Sequence, residues 1–208
     1  MEAFTTLTAA AAPYFHADVD TDEIIPHRFL RKPLSAGYGN FLFHDRRFRN
    51  AGQVDAGFVL NRREYAGAQV LVCGRNFGCG STREGAVYAL RDYGIRALIA
   101  PSFAEIFSGN CVQNGVLPVV LPEATVQSLC AQITARPGAE VAIDLMAQTV
   151  ALPEGERAHF DIDAGWKARL IEGLDEIGIT LKHREAIAAF EAAYRARLPW
   201  LARQERPA

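Results

Sequence analysis

The sequence predicts an α/β fold built on a parallel sheet, and three stretches carry that prediction. Ala68-Gln-Val-Leu-Val-Cys73 is an apolar, β-branched run that enters a glycine-rich turn and leaves it as a helical pattern. Ala97-Leu-Ile-Ala-Pro101 does the same a second time, and Val116-Leu-Pro-Val-Val-Leu121 follows as a third strand. Successive strand-turn-helix units of this kind build parallel α/β cores. With 208 residues, half of them hydrophobic, the chain can bury a core as one domain, 1–208.

Taken in order, the chain begins with a polar-flanked alanine tract, Ala9 to Ala12, to which no role is assigned. Asp18-Val-Asp-Thr-Asp-Glu23 then reads as Asx turns with a helix cap ahead of Ile24-Ile-Pro26. It is not a calcium loop, because the positions that need glycine and glutamate hold Glu23 and Phe29. His27 to Arg49 reads as a long loop rich in arginine and aromatics, with Gly37 and Gly39 in it. After the first strand, Ser81-x-x-Glu84 predicts a capping box and a helix that runs through Ala86, Ala89, Leu90 and Tyr93 to Gly94. Ser102-x-x-Glu105 predicts a second capping box and a short helix through Ile106 and Phe107, broken at Asn110, Asn114 and Gly115. Glu123 to Arg136 has helical spacing. Glu140–Leu145, Thr149–Leu152 and Ala158–Ile162 read as strands, and Ala164–Ile171 as a helix closed by Gly173. The amphipathic helix 184–198 carries Ile187, Phe190, Ala193 and Tyr194 on one stripe, a face expected to pack on the core or on a partner.

Several function classes are excluded. A net charge of -2 and a pI of about 6.2 leave no footprint for nucleic acid. No run of eighteen apolar residues and no signal peptide are present, so a cytoplasmic location is expected, with no membrane contact. Cys73, Cys79, Cys111 and Cys130 form no C-x-x-C pair, which predicts reduced thiols and no metal site. Cys79, inside the glycine turn, is either a reactive thiol or an inert one.

The chemistry concentrates in Asn76-Phe-Gly-Cys-Gly-Ser-Thr-Arg-Glu84. A helix start offers free N–H groups and partial positive charge, and Arg83 adds a guanidinium, so the turn suits a carboxylate or phosphate. Arg83 stands where G-x-G-x-x-G needs glycine, the P-loop lysine is missing, and G-x-S-x-G fails at Cys79 and Arg83. Spacing therefore supports an anion-binding turn, and Ser81 is either a catalyst or a helix cap.

Separated segments together resemble one family. Asp18-Val-Asp-Thr-Asp-Glu-Ile-Ile-Pro26, Asn76 to Glu84, Ala100-Pro-Ser-Phe-Ala-Glu-Ile-Phe107, Asn110 to Leu121, Gly173-Leu-Asp-Glu-Ile-Gly-Ile-Thr-Leu181 and the Ile187 to Glu191 helix run in the order found in the small subunit of bacterial 3-isopropylmalate dehydratase, the swivel-domain subunit of the aconitase superfamily. The resemblance implies a swivelling β/β/α fold and a hydro-lyase divided between two chains. It implies Ser81 as catalytic base, Arg83 as carboxylate binder, and Thr82 and Asp22 as their neighbours. A loop holding Arg28, Arg31, Ser35 and Tyr38 would select the substrate. The large subunit would carry a [4Fe-4S] cluster, and this chain would bind no cofactor. The chain departs from the family pattern at Gly85, which replaces a histidine, at Ser35-Ala-Gly-Tyr-Gly39, which lacks an arginine, and at Asp45-Arg-Arg47. These departures leave isopropylmalate in competition with citramalate or citraconate, maleate and homoaconitate. A non-catalytic anion-binding or docking domain is the reading from another class.

Overall fold

The computed structural model describes residues 1–49, 52–81 and 83–201. Its core is a mixed sheet of seven strands: β1 (Thr6–Tyr14), β2 (Val70–Cys73), β3 (Ala97–Ala100), β4 (Leu117–Val120), β5 (Glu140–Asp144), β6 (Thr149–Ala151) and β7 (Arg157–His159), in the spatial order β4-β3-β2-β1-β5-β6-β7. β1 to β4 are mutually parallel, and β5, β6 and β7 continue the sheet antiparallel. The parallel half is the predicted core. Its strands are aliphatic on both faces because both faces are buried.

The alanine tract is the seam of this sheet. Ala11 pairs with Val70 in parallel register, while Ala9 pairs with Val141 in antiparallel register, so β1 joins the two halves. Ala11 and Ala12 are fully buried. Alanine is a weak strand former, which is why the tract carries no strand signal in its sequence; tertiary packing overrides the preference here.

Among the helices, α1 (Thr21–Ile24) and α2 (His44–Arg47) are single turns, followed by α3 (Gly85–Tyr93), α4 (Glu105–Gln113), α5 (Glu123–Ala135), α6 (Ala164–Glu172), α7 (Glu176–Leu181) and α8 (Arg184–Arg197). α5 packs against β1, β2 and β3. Asp20 caps α1, with its carboxylate accepting from Glu23 N at 2.8 Å, as the polar turn predicted. Neither predicted capping box forms. The cap position of α3 is Glu84 and that of α4 is Ala104, and neither makes a side-chain cap bond. Ser102 is occupied elsewhere: its Oγ accepts from Asn76 N at 2.8 Å, and its carbonyl from Phe77 N. Without that break α4 runs longer than predicted, with Asn110 inside it and Asn114 as its C-cap.

Residues 27–49 and 52–65 form short 3-10 turns around α2, consistent with the long loop predicted up to Arg49. Arg47 knits it together. Its guanidinium donates to the carbonyls of Gly39 and Leu42 and to Asn61 Oδ1, and lies over the ring of Tyr93. The expected burial of the α8 stripe does not occur on the core. Ile187, Phe190 and Tyr194 are all exposed, Phe190 at 67%, and no residue of α8 is buried.

A helix that buries nothing contributes little to the stability of what it is attached to. Removing residues 184–208 is therefore expected to shift the melting temperature of the isolated chain by less than about 3 °C, measured by circular dichroism. A loss of about 10 °C or more would contradict the exposed placement of α8.

Candidate active site

The parallel strands β1, β2 and β3 all point their C-terminal ends to one edge, where open α/β sheets bind ligands. The segments that follow β1 and β2 lie side by side there, joined by a parallel bridge between Asp20 and Cys79. Asp18 N donates to Arg75 O, Gly78 N to Val19 O and Thr21 N to Cys79 O. This approach requires glycine at two places. A Cβ on Gly74 would lie 2.3 Å from the carbonyl oxygen of His16, and one on Gly78, where φ is +78°, would lie 2.2 Å from the ring of Phe107.

Ser81 emerges from this pairing. Its carbonyl accepts from the buried hydroxyl of Thr21 at 2.9 Å and from Arg83 N at 2.9 Å, which holds the residue from its backbone. Its side chain is exposed and, among the described residues, has no hydrogen-bond partner. Helix α3 starts only at Gly85, so the use of Ser81 as a helix cap is ruled out; Ser81 and Arg83 precede the helix rather than begin it.

Arg83 turns inward, with its side chain 16% exposed. Nη2 meets Asp22 Oδ2 at 2.6 Å and lies 3.5 Å from Thr21 Oγ1. Nε and Nη1 are buried and have no partner among the described residues. The guanidinium beside Asp22 holds that carboxyl below the usual carboxylate range, with His27 adding a smaller effect in the same direction. Thr82 lies outside the described residues.

Sequence reasoning missed Thr21 as a member of the site, although it stands in the 18–23 stretch that reads as turns. It also missed Glu23, whose carboxylate is bound by the Tyr14 hydroxyl and by Arg46. Burial and that carboxylate push the Tyr14 phenol well up.

The loop residues have different placements. Arg31 and Ser35 face solvent. Arg28 is paired with Asp45 and holds that carboxyl at about 2. Tyr38 is buried against Phe41 and Tyr88, with its hydroxyl donating to the carbonyls of Leu30 and Lys32. Leu30 fills the space beside Gly85, where a Cβ would lie 2.5 Å from its Cδ2. Gly85 thus admits the loop against the first turn of α3 rather than merely loosening that turn.

Burial pushes up all four thiols: Cys130 to about 12, Cys73 and Cys111 well above their ordinary value. Cys79 is raised by burial and by Asp20 and Asp18, so it is a protonated thiol at neutral pH. Among the described residues no group of three or more His, Cys, Asp or Glu is arranged to hold a metal ion.

Fold and site together define the class as an aconitase-type domain, with a serine–arginine turn at the sheet edge. The family model of the aconitase C-terminal domain matches residues 1–124. Two further models match behind it, one described as LeuD_N over residues 127–164 and one as the C-terminal domain of the 3-isopropylmalate dehydratase small subunit over residues 176–204. A 3-isopropylmalate dehydratase small subunit from Magnetococcus marinus is 46% identical over 209 residues, covering 96% of this chain and 98% of its own. The crystal structure of a 3-isopropylmalate dehydratase from Methanocaldococcus jannaschii superimposes with a TM-score of 0.63 at 28% identity, covering 89% of this chain and 99% of that one. The chain belongs to the 3-isopropylmalate dehydratase small-subunit family.

The Asp22–Arg83 pair has a pH signature. It favours the charged carboxylate, so its stabilisation is complete above the unfolded Asp value of about 3.9 and disappears as pH falls through the lowered folded value. A carboxyl NMR titration is expected to place the Asp22 midpoint below 3.8 and to return it toward about 3.9 in Arg83→Ala. An unshifted midpoint in the unsubstituted chain would rule out the pair.

Proposed function

We propose that this chain is the small subunit of a heteromeric hydro-lyase that interconverts 2-isopropylmalate and 3-isopropylmalate in leucine biosynthesis. The observation that carries the site assignment is Thr21, whose hydroxyl holds the Ser81 carbonyl and lies 3.5 Å from the Arg83 guanidinium, two of whose nitrogens are buried without a partner among the described residues. The names of the relatives from Magnetococcus and Methanocaldococcus support the reaction and the substrate.

Ser81 is the base. It removes the proton from the carbon next to a substrate carboxylate, the electron pair forms the double bond, and hydroxide departs from the adjacent carbon. Water then returns to the other carbon. A serine hydroxyl is too weakly acidic to do this unaided near neutral pH. The alkoxide is helped by the Arg83 charge, by the N-terminal end of α3 and by exclusion of water when a second chain closes over the edge. Arg83 binds the carboxylate through charge-assisted hydrogen bonds, while Asp22 and Thr21 hold the guanidinium from the other side. Thr82 is assigned to the same site by its place in the motif.

The other half of the site is assigned to the large subunit, which is expected to carry a [4Fe-4S] cluster that would supply Lewis-acid help to the departing hydroxyl. Within the selection loop, contact with the substrate side chain is assigned to Arg31 and Ser35, both of which face solvent. Arg28 and Tyr38 shape the loop from within through Asp45 and the Leu30 and Lys32 carbonyls. The chain works as one domain in the cytoplasm.

In the complex with its large subunit, assembled without oxygen, Ser81→Ala is expected to lower kcat by at least about a hundredfold while co-purification is unchanged. Full turnover in that variant would remove the base assignment. Arg83→Lys is expected to raise KM for isopropylmalate by about tenfold or more, because a point charge does not replace a planar fork; an unchanged KM would count against the carboxylate role. The chain purified alone is expected to be colourless, and stoichiometric iron with cluster absorption would contradict the division of labour.

A further inference from the structure

Glu84 sits immediately after Arg83, and the failure of the capping box leaves its carboxylate in an unexpected place. Instead of reaching back to Ser81, the side chain reaches forward. Oε2 accepts from the Tyr88 hydroxyl at 2.7 Å, and Oε1 accepts from Asn114 Nδ2 at 3.3 Å. Asn114 is the C-cap of α4, and its Nδ2 also donates to Asn110 O at 2.9 Å. The Glu84 carbonyl accepts from Val87 N at 2.8 Å and Tyr88 N at 3.0 Å. Residue 84 is thus tied to the first turn of α3 by its backbone and to the end of α4 by its side chain. Among the described residues its carboxylate meets only neutral donors and no cation.

That arrangement matters because Arg83 is anchored along the chain at only a few points. Behind it, its own N–H donates to Ser81 O at 2.9 Å; ahead of it, its carbonyl accepts from Ala86 N at a long 3.3 Å, and Glu84 follows directly. The guanidinium must thread between Thr21 and Asp22 with two nitrogens enclosed, so a small swing of its Cα would misdirect the fork. A displacement of about 1 Å in a positioning group can cost on the order of a hundredfold in rate. The partners of Glu84 are also placed to resist such a swing in two directions. Tyr88 lies one turn along α3, and Asn114 lies on a different helix.

We propose that Glu84, braced by Tyr88 and Asn114, is a positioning residue that sets the direction of the Arg83 guanidinium. It touches no substrate and acts through Arg83, so the proposal rests on the assignment of Arg83 as the carboxylate binder. Asn114 and Tyr88 thereby acquire a part in substrate binding although neither faces the turn that carries Ser81.

The test is steady-state kinetics of the complete two-subunit enzyme with isopropylmalate. Glu84→Ala is expected to raise KM by about tenfold with kcat changed less than about threefold, because a misdirected Arg83 loses binding more than chemistry. Glu84→Gln is expected to recover to within about threefold of the unsubstituted enzyme, since the carboxamide oxygen can still accept from Asn114 Nδ2 while its NH2 donates to the Tyr88 hydroxyl oxygen. Tyr88→Phe removes one brace without opening a cavity and is expected to raise KM in the same direction, which keeps the proposal open to test if Glu84→Ala fails to assemble. In an Arg83→Lys background, adding Glu84→Ala is expected to change KM by less than about twofold, the non-additivity of residues acting through one group. An undiminished tenfold effect in that background would overturn the positioning role while leaving the carboxylate assignment intact, as would unchanged KM in both Glu84→Ala and Tyr88→Phe. If Arg83→Lys alone left KM unchanged, the carboxylate assignment would fall and the positioning role with it.

Discussion

The carbonyl oxygen of His16 lies where a side chain at position 74 would have to stand, and much of the site depends on that contact. Because Gly74 has no Cβ, the segment leaving β2 can lie against the segment leaving β1. The backbone bonds from Asp18, Gly78 and Thr21 then form across the seam. Only after that does the Thr21 hydroxyl reach the carbonyl of Ser81, and only then does Asp22 meet Arg83. The serine and the arginine are presented by a turn that owes its shape to a neighbouring segment far away in sequence. Helix α3 receives the chain once the turn is complete.

What the sequence could and could not reveal follows from the range of each interaction. The strands 70–73, 97–100 and 117–120 were legible because their own composition is that of buried strands, although Val120 at the end of the edge strand is exposed. Helix α5 was legible from its spacing, and Asp20 from its position before Thr21. β1 was not, because alanine is a weak strand former and its partners lie in distant parts of the chain. The capping boxes misled for a physical reason: a Ser-x-x-Glu spacing is compatible with a cap, but Ser102 is claimed by the amide of Asn76, and Glu84 by Tyr88 and Asn114. Ser81 and Arg83 were singled out by residue type within a glycine turn. Thr21, which holds Ser81 in place, has no local signal to distinguish it from a turn residue.

The charges around the edge are arranged unequally. Arg28 and Arg46 are each matched to a carboxylate, Asp45 and Glu23, and are largely exposed, so they contribute to the surface more than to stability. Arg83 is different. Its pairing with Asp22 satisfies one nitrogen and leaves two enclosed without partners, a state that costs on the order of 1–3 kcal/mol for each unsatisfied group. Among the described residues the chain by itself therefore carries a stored deficit at Arg83, the residue to which carboxylate binding is assigned.

The position of β1 at the centre of the sheet has a consequence during synthesis. This strand is made before both of its neighbours, so one edge stays open until residues 70–73 have been made and the other until residues 140–144, when most of the chain is complete. At ordinary elongation rates that interval is on the order of ten seconds. A strand rich in valine, isoleucine or phenylalanine, waiting unpaired for so long, would be a template for joining other chains. Thr-Leu-Thr-Ala-Ala-Ala-Ala-Pro-Tyr is a poor one: its side chains are small, and Pro13 denies one ladder donor near its end. The alanines that hid the strand from its sequence also make it a quiet nascent segment, suited to wait for its place in the sheet.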